Sequence, residues 1–222
     1  MLDFAQARRN MVDSQVRTFD VFDIPLLAVL DELPRERFAP EGRESLAYID
    51  LDLPVAEGIA GERRYMLKPM ILARMIQSLD VEAGHRVLDV APGLGYSTAV
   101  LARLGARVIG LEAAEDLAAE ATRRLAAVGI EGATVASGPL QEGYPDGAPY
   151  DAILVNGLLG MRPDALLAQL ADGGRLICVE QTGRAGRAVL YTRSGDAVGS
   201  RSVFDAGAEP LKAFAQEPGF VF

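Results

Sequence analysis

The sequence predicts an α/β fold with a seven-stranded, mostly parallel sheet, helices on both of its faces and an N-terminal helical segment ahead of it. From residue 86 onward, apolar strands alternate with helices. These strands are apolar along their whole length, which is typical of a parallel sheet covered on both faces. The residues before them show apolar side chains at helical spacing instead. A length of 222 residues suits one domain with a short extension.

The N-terminal segment is predicted to be helical with irregular connections. Asp23 is the expected N-cap of one helix, which Pro34 ends. Residues 40–67 are rich in glycine, proline and charge, so we expect a long, partly extended loop there. Pro69 opens the next helix. The apolar residues of that helix are Ile71, Leu72, Met75, Ile76 and Leu79.

The remaining elements follow in the order that the alternation requires. The expected strands are 86–91, 107–112, 133–136, 150–156 and 175–179, closed by an antiparallel pair at 187–191 and 197–204. The expected helices are 97–104, 116–128 and 163–170. In such a sheet a ligand lies at the carboxyl ends of the strands, where the strand order reverses.

The domain organisation is predicted to be a single domain over 1–222. It comprises an N-terminal segment (1–80), a sheet core (81–206) and a tail (207–222). The tail carries four large apolar residues that favour docking on the body or on a second subunit: Leu211, Phe214, Phe220 and Phe222. The sequence leaves the oligomeric state open.

Composition excludes several classes of protein. Acidic residues outnumber basic ones by 31 to 22, for a net charge of −9, which argues against binding a nucleic-acid backbone. We see no secretory signal and no apolar stretch of the ~20 residues that a membrane helix needs, and therefore expect a cytoplasmic protein without membrane contact. Cys178 is expected to be a buried core thiol. His85 is expected in a surface turn, and a single histidine predicts no metal site.

A glycine-containing turn and a later glutamate are the main functional signals. Residues 87–96 read Val-Leu-Asp-Val-Ala-Pro-Gly-Leu-Gly-Tyr, a strand that enters a turn and then a helix. Glycine lets the backbone approach a ligand closely. Glu112 ends the next strand, where a carboxylate can accept from both hydroxyls of a ribose. The turn alone fits a purely structural connection equally well, but together with Glu112 it predicts an adenosine-containing ligand.

The spacing of the glycines separates two such ligands. The third glycine of the dinucleotide fingerprint would fall at Thr98, so that pattern is absent. The turn resembles instead the first motif of the S-adenosylmethionine (SAM) dependent methyltransferases, which have a Rossmann-like fold. That resemblance implies SAM as the cofactor. It implies cofactor contacts at Asp89, Ala91, Gly93, Gly95, Tyr96 and Glu112, with Gly138, Pro139 and Leu140 near the adenine.

The wider sequence resembles the protein-L-isoaspartate O-methyltransferase family over roughly residues 10 to 205. The segments that carry the resemblance are Leu-Pro-Arg-Glu-Arg-Phe at 33–38, Ala-Tyr-Ile-Asp at 47–50, Leu-Pro-Val at 53–55, and the stretches 148–155, 163–170 and 173–176. The family transfers the methyl group of SAM to the α-carboxylate of L-isoaspartyl residues in damaged proteins. The resemblance therefore implies isoaspartyl-containing peptides or proteins as substrates.

Three motifs depart from the family's pattern. Where the family has a Gly-Gln-Thr-Ile-Ser-type loop, this chain has residues 63–68, with Leu67 at the position of the serine. Ala91 replaces the first glycine of the turn, and 138–140 read Gly-Pro-Leu where the family has Gly-Asp-Gly. We therefore expect isoaspartyl methylation to be weak or absent. Two alternatives stay open: a methyltransferase of the same fold with another substrate, and a protein that binds SAM or a partner without turnover.

The acceptor-site candidates are Arg64, Tyr65, Leu67 and Asn156. An arginine could hold the acceptor carboxylate by two hydrogen bonds, but the charges of this loop (Arg63, Arg64 and Lys68) are expected to be solvated on balance. Asn156 fits the acceptor site and a turn beside Gly157 equally well. Tyr65 could line the site or pack beneath the loop.

Overall fold

The computed structural model describes residues 3–59, 62–182 and 185–215. Its N-terminal segment contains helices α1 (Phe4–Met11), α2 (Ile24–Glu32) and α3 (Pro69–Leu79) and strands β1 (Leu53–Ile59) and β2 (Glu62–Met66). The predicted caps are confirmed. The side chain of Asp23 accepts a hydrogen bond from the N–H of Leu26 at 2.7 Å, and Pro69 is the first residue of α3.

The β1–β2 hairpin corrects the predicted loop over 40–67. The two strands pair antiparallel, with Leu53 opposite Met66 and Pro54 opposite Tyr65, and with two shifts of register. Leu53 and Val55 are buried whereas Pro54 is partly exposed, which is the two-residue period of a strand with one covered face. The composition of the segment hid this period, because proline, glycine and charged residues are rare in strands.

The predicted seven-stranded sheet is confirmed. Its strands are β3 (Arg86–Val90), β4 (Arg107–Glu112), β5 (Ala133–Ser137), β6 (Tyr150–Leu159), β7 (Leu170–Thr182), β8 (Ala185–Ser194) and β9 (Ala197–Asp205). The order across the sheet is β5-β4-β3-β6-β7-β8-β9. The first five run parallel, and β8 and β9 form the expected antiparallel pair. The strand order reverses between β3 and β6, so the carboxyl end of β3 lies at the switch point.

Three further helices pack on the sheet: α4 (Tyr96–Arg103), α5 (Glu115–Ala127) and α6 (Asp164–Leu167). The helix predicted over 163–170 is shorter than expected, because Leu170 already pairs with Tyr150 as the start of β7. Alternate residues of the strands enter two buried clusters, one on each face. The N-terminal helices complete one cluster, whereas α6 and the tail complete the other.

Two predictions about single residues are confirmed. Cys178 is fully buried, and burial raises the pKa of its thiol well above the ordinary value. His85 lies in a turn, where its Nδ1 accepts a hydrogen bond from the N–H of Glu82.

The tail docks on the body through its described residues. Leu211 and Phe214 are buried, and the N–H of Leu211 donates to the carbonyl of Leu158 in β6 at 3.0 Å. Phe220 and Phe222 lie outside the described residues. Within the described ranges, no helix is long and apolar enough to cross a membrane.

Candidate cofactor and acceptor site

A left-handed turn connects β3 to α4. Gly93 and Gly95 have φ angles of +61° and +93°, and Ala91 has a φ of +58°. An L-residue with a side chain pays about 1–2 kcal/mol for this conformation. The backbone at Ala91 therefore has a conformation that favours glycine, although this chain has alanine there.

Glu112 lies at the carboxyl end of β4, beside this turn, as the sequence predicts. Its side chain is fully buried. One oxygen accepts from the N–H of Gly93 at 2.6 Å, and the other accepts from Nε of Arg64 at 3.0 Å and from the N–H of Ala113 at 3.2 Å. Burial raises the pKa of the Glu112 carboxyl, and the guanidinium of Arg64 opposes that rise.

The position of Arg64 corrects the expectation of a solvated loop charge. Its side chain is only 4% exposed, and it forms a buried ion pair with Glu112. Its neighbour Arg63 is exposed, as expected, and Lys68 is partly buried. The hairpin also packs closely against the turn. A Cβ added at Gly93 would lie 2.8 Å from Cγ2 of Val55 in β1. Only glycine therefore fits this contact.

Asp89 is the centre of a buried hydrogen-bond network. One of its oxygens accepts from the hydroxyls of Ser97 at 2.7 Å and Thr98 at 2.6 Å, and the other accepts from the amide of Asn156 at 2.6 Å. Burial raises the pKa of Asp89 to about 6, and these hydrogen bonds limit the rise. The network joins the end of β3 to the start of α4 and to β6.

Asn156 does not take the turn role weighed from the sequence. It is buried within β6 rather than in a turn, and its amide also donates to the carbonyl of Val90 at 3.0 Å. Asn156 therefore holds the ends of two neighbouring strands together. Tyr65 is half-buried on β2.

Asp89→Asn is expected to remove a pH dependence of stability. The pKa of Asp89 is about 6 in the folded protein against an ordinary value of 3.8, so the folded state binds this proton more tightly. The wild-type free energy of unfolding should therefore fall relative to that of the variant as pH rises from about 4 to about 6, by roughly 3 kcal/mol. Urea unfolding of both proteins across this range measures the difference. A constant difference would contradict the prediction.

Arg35 is a feature of the site that sequence reasoning missed. It is 1% exposed, and its guanidinium donates to the carbonyls of Ala47 at 2.7 Å and Leu67 at 2.6 Å. It also lies 4.6 Å from the ring centroid of Tyr96, the first residue of α4. The side chain of Tyr96 therefore faces the N-terminal segment. Arg35 joins the hairpin's end at Leu67 to the helix that follows the glycine turn.

The segment predicted to lie near the adenine follows β5. The N–H of Gly138 donates to the backbone carbonyl of Glu112 at 2.8 Å, which places this segment beside the carboxyl end of β4. Pro139 is exposed and Leu140 is fully buried. Within the part of the chain that the structure describes, no cluster of three or more acidic, histidine or cysteine side chains could hold a metal ion.

The sheet order, the glycine turn and Glu112 define a Rossmann-like methyltransferase. Comparison with solved structures agrees: a protein-L-isoaspartate O-methyltransferase superposes with a TM-score of 0.81 at 23% identity, over 94% of this chain and 67% of that one. A second, from Plasmodium falciparum in complex with S-adenosyl-L-homocysteine, gives a TM-score of 0.78 at 19% identity, over 96% of this chain and 100% of that one. At these identities the likeness shows the fold.

Sequence comparison shows the family. The family model described as protein-L-isoaspartate(D-aspartate) O-methyltransferase matches residues 9–204. The protein-L-isoaspartate O-methyltransferase 1 of Rhodopseudomonas palustris (strain HaA2) is 39% identical over 94% of this chain and 84% of its own length. The enzyme of that name from Roseiflexus sp. (strain RS-1) is 36% identical over 95% of this chain and 94% of its own length. The chain belongs to the protein-L-isoaspartate O-methyltransferase family.

Proposed function

We propose that this chain transfers the methyl group of SAM to the free α-carboxylate of L-isoaspartyl residues in peptides and proteins. Its membership in the family carries the proposal. The contact between Glu112 and the glycine turn supports it, because that turn follows β3, the strand at the switch point of the sheet. A net charge of −9 also favours a polypeptide substrate over a nucleic acid.

SAM is the cofactor, and the residues at the carboxyl edge of the sheet fit it. Glu112 offers two oxygens for the ribose hydroxyls, provided that Arg64 releases one of them. The backbone of Gly93 and Gly95 allows a close approach. We assign the cofactor contacts to Ala91, Gly93, Gly95, Glu112 and 138–140. Asp89 and Tyr96 support the turn through their own contacts.

Methyl transfer to a carboxylate requires the protein mainly to position the acceptor and the methyl group. When bound, SAM supplies a methyl group activated by a positively charged sulfur. A carboxylate has an ordinary pKa of about 4 and is already ionised at neutral pH, so no general base is needed. The chain has to align the acceptor oxygen with the methyl carbon and to exclude water. We assign both tasks to the hairpin, which packs on the turn through Val55 and Arg64.

A methyl-transfer assay tests the proposal. The purified chain is incubated with labelled SAM and an isoaspartyl peptide, and the control is the same peptide with an ordinary aspartyl residue. We expect base-labile label, the signature of a methyl ester, in the isoaspartyl peptide alone. Label in neither peptide, while calorimetry shows that the cofactor product S-adenosylhomocysteine binds, would contradict the proposal and point to another acceptor.

The environment of Leu67 favours a second candidate, a methyltransferase of the same fold with another acceptor. Leu67 stands where the family keeps its serine, and its side chain is 2% exposed. An acceptor carboxylate that leaves water without gaining a hydrogen-bond donor in the site binds less tightly. Slow turnover of the isoaspartyl peptide by the wild type, beside fast turnover of another carboxylate, would favour this candidate.

Leu67→Ser is expected to raise isoaspartyl turnover about two- to tenfold, because one restored hydrogen bond contributes roughly 0.5–1.5 kcal/mol. The variant should also lose about 2–4 kcal/mol of stability, since it opens a cavity at a buried site. Leu67→Ala is the matched control, with a similar cavity and no hydroxyl. Initial rates and urea unfolding measure both effects. Equal rates for the serine and alanine variants would show that the hydroxyl does not orient the acceptor.

A further inference from the structure

The peptide bond between Leu67 and Lys68 is held at both of its ends by charged side chains. Its carbonyl oxygen accepts from Nη2 of Arg35 at 2.6 Å, and its N–H donates to Oδ1 of Asp52 at 2.8 Å. The two side chains reach it from segments 32 and 16 residues earlier in the chain. Both polar groups of one peptide bond are therefore fixed, and we refer to residues 67–68 as the clamped peptide.

The two contacts restrict the orientation of this peptide strongly. Hydrogen bonds to charged groups are roughly twice as strong as those between neutral groups. Arg35 is 1% exposed, so its guanidinium stays within the core. Asp52 is partly buried, and burial raises the pKa of its carboxyl, whereas the hydrogen bond from Lys68 lowers it. That bond therefore stabilises the carboxylate as well as the peptide.

The clamped peptide connects the hairpin to α3, within the loop that we take to border the acceptor. Met66 ends β2, and Pro69 begins α3. The side chain of Leu67 is apolar and 2% exposed, so it offers no hydrogen bond to a ligand. This segment can therefore contribute its backbone shape and the direction in which the side chain of Lys68 leaves the backbone. Both depend on the clamp.

We propose that Arg35 and Asp52 are positioning residues for the acceptor: by holding residues 67–68 they set the shape of the acceptor site without contacting the acceptor. A displacement of about 1 Å in such a site costs on the order of 10²-fold in rate. The inference rests on the proposed function, because it takes residues 63–68 to border the acceptor. Asp52 lies between two segments that carry the family resemblance, 47–50 and 53–55, and belongs to neither.

A matched control separates this role from simple stabilisation of a helix. The carboxylate of Asp52 lies at the N-terminus of α3, where a negative charge is favourable. Asp23 makes an equivalent contact at the N-terminus of α2, where it accepts from the N–H of Leu26 at 2.7 Å. Asp23 lines a cavity together with Glu82 and Ala83, which precede the amino end of β3. It therefore lies toward the edge of the sheet opposite the site.

Asp52→Ala is expected to weaken the binding of an isoaspartyl peptide to the S-adenosylhomocysteine complex about five- to twentyfold, because the clamped peptide loses one of its two charged partners. Affinity for S-adenosylhomocysteine itself should change by less than about twofold, since Glu112 and the glycine turn keep their contacts. Asp52→Asn retains an oxygen that accepts from Lys68, so it should keep most of the wild-type peptide affinity. Asp23→Ala should leave both affinities unchanged. Titration calorimetry measures them without turnover.

Two further variants complete the test. Arg35→Lys acts on the other end of the clamped peptide. Combined with Asp52→Ala, it should weaken the isoaspartyl peptide by less than the product of the two single effects, because both variants release the same group. Asp52→Leu fills the space of the carboxylate without accepting a hydrogen bond, and it replaces the alanine variant if that variant fails to fold by circular dichroism.

The outcomes distinguish this inference from the proposed function. Wild-type peptide affinity in folded Asp52→Ala overturns the positioning role, and so does an equal loss in Asp23→Ala. Independent effects of Arg35→Lys and Asp52→Ala overturn it as well. A wild type that methylates the isoaspartyl peptide no faster than Asp52→Ala contradicts this inference alone. A wild type that binds the peptide through the clamp but transfers no methyl group supports this inference and contradicts the proposed function alone. A wild type that binds no isoaspartyl peptide overturns both.

Discussion

Glu112→Ala is expected to weaken S-adenosylhomocysteine binding by about 10²- to 10⁴-fold. The variant removes the carboxylate that we assign to the two ribose hydroxyls, and each hydrogen bond to a charged acceptor contributes roughly 1.5–3 kcal/mol. Glu112 is fully buried at the end of β4, so water cannot easily replace it. Titration calorimetry of wild type and variant measures the change. Unchanged affinity would show that the ribose is held elsewhere.

A folding defect could imitate this loss, and a double variant separates the two. Glu112→Ala leaves Arg64 buried without its carboxylate, at a cost of about 3–5 kcal/mol in the free energy of unfolding. Combining it with Arg64→Ala removes the buried guanidinium as well, so most of that stability should return. The affinity for S-adenosylhomocysteine should stay low. Recovery of affinity in the double variant would contradict the assignment of Glu112.

The sheet and the contact between the glycine turn and Glu112 were predictable because they depend on strong local patterns. Apolar strands that alternate with helices specify a parallel sheet, and the strand order places its ligand edge. Glu112 could be assigned because it ends the strand directly after the glycine turn. Its contact with the N–H of Gly93 confirms that the two signals meet in space. The cofactor contacts themselves stay a prediction.

The hairpin and its buried charges were not predictable from local patterns. Arg64 pairs with a carboxylate 48 residues away, and Asn156 donates to one 67 residues away. A polar residue looks solvated in sequence unless its partner is known, because burial of a charge is favourable only when it is paired. The alternation of buried residues in β1 was too short to outweigh the glycine, proline and charge around it.

Arg35 shows the same limit, and it carries the second large prediction. Arg35→Ala is expected to lower the free energy of unfolding by about 3–5 kcal/mol. The change empties a large buried site and leaves the carbonyls of Ala47 and Leu67 without their donor. It also removes the contact between the guanidinium and the ring of Tyr96. Urea unfolding at neutral pH measures the loss.

Two variants decide whether the stabilisation by Arg35 depends on the geometry of its guanidinium or on its charge alone. Arg35→Lys keeps a cation but lacks the fork that spans two carbonyls, so it should lose about 2–3 kcal/mol. Arg37→Ala, two residues along at an exposed position, should change stability by less than about 0.5 kcal/mol. Because Arg35 holds the carbonyl of Leu67, the lysine variant should also weaken binding of the acceptor peptide at temperatures where it is fully folded. If Arg35→Lys were as stable as the wild type, the charge would suffice and the two carbonyl contacts would contribute little.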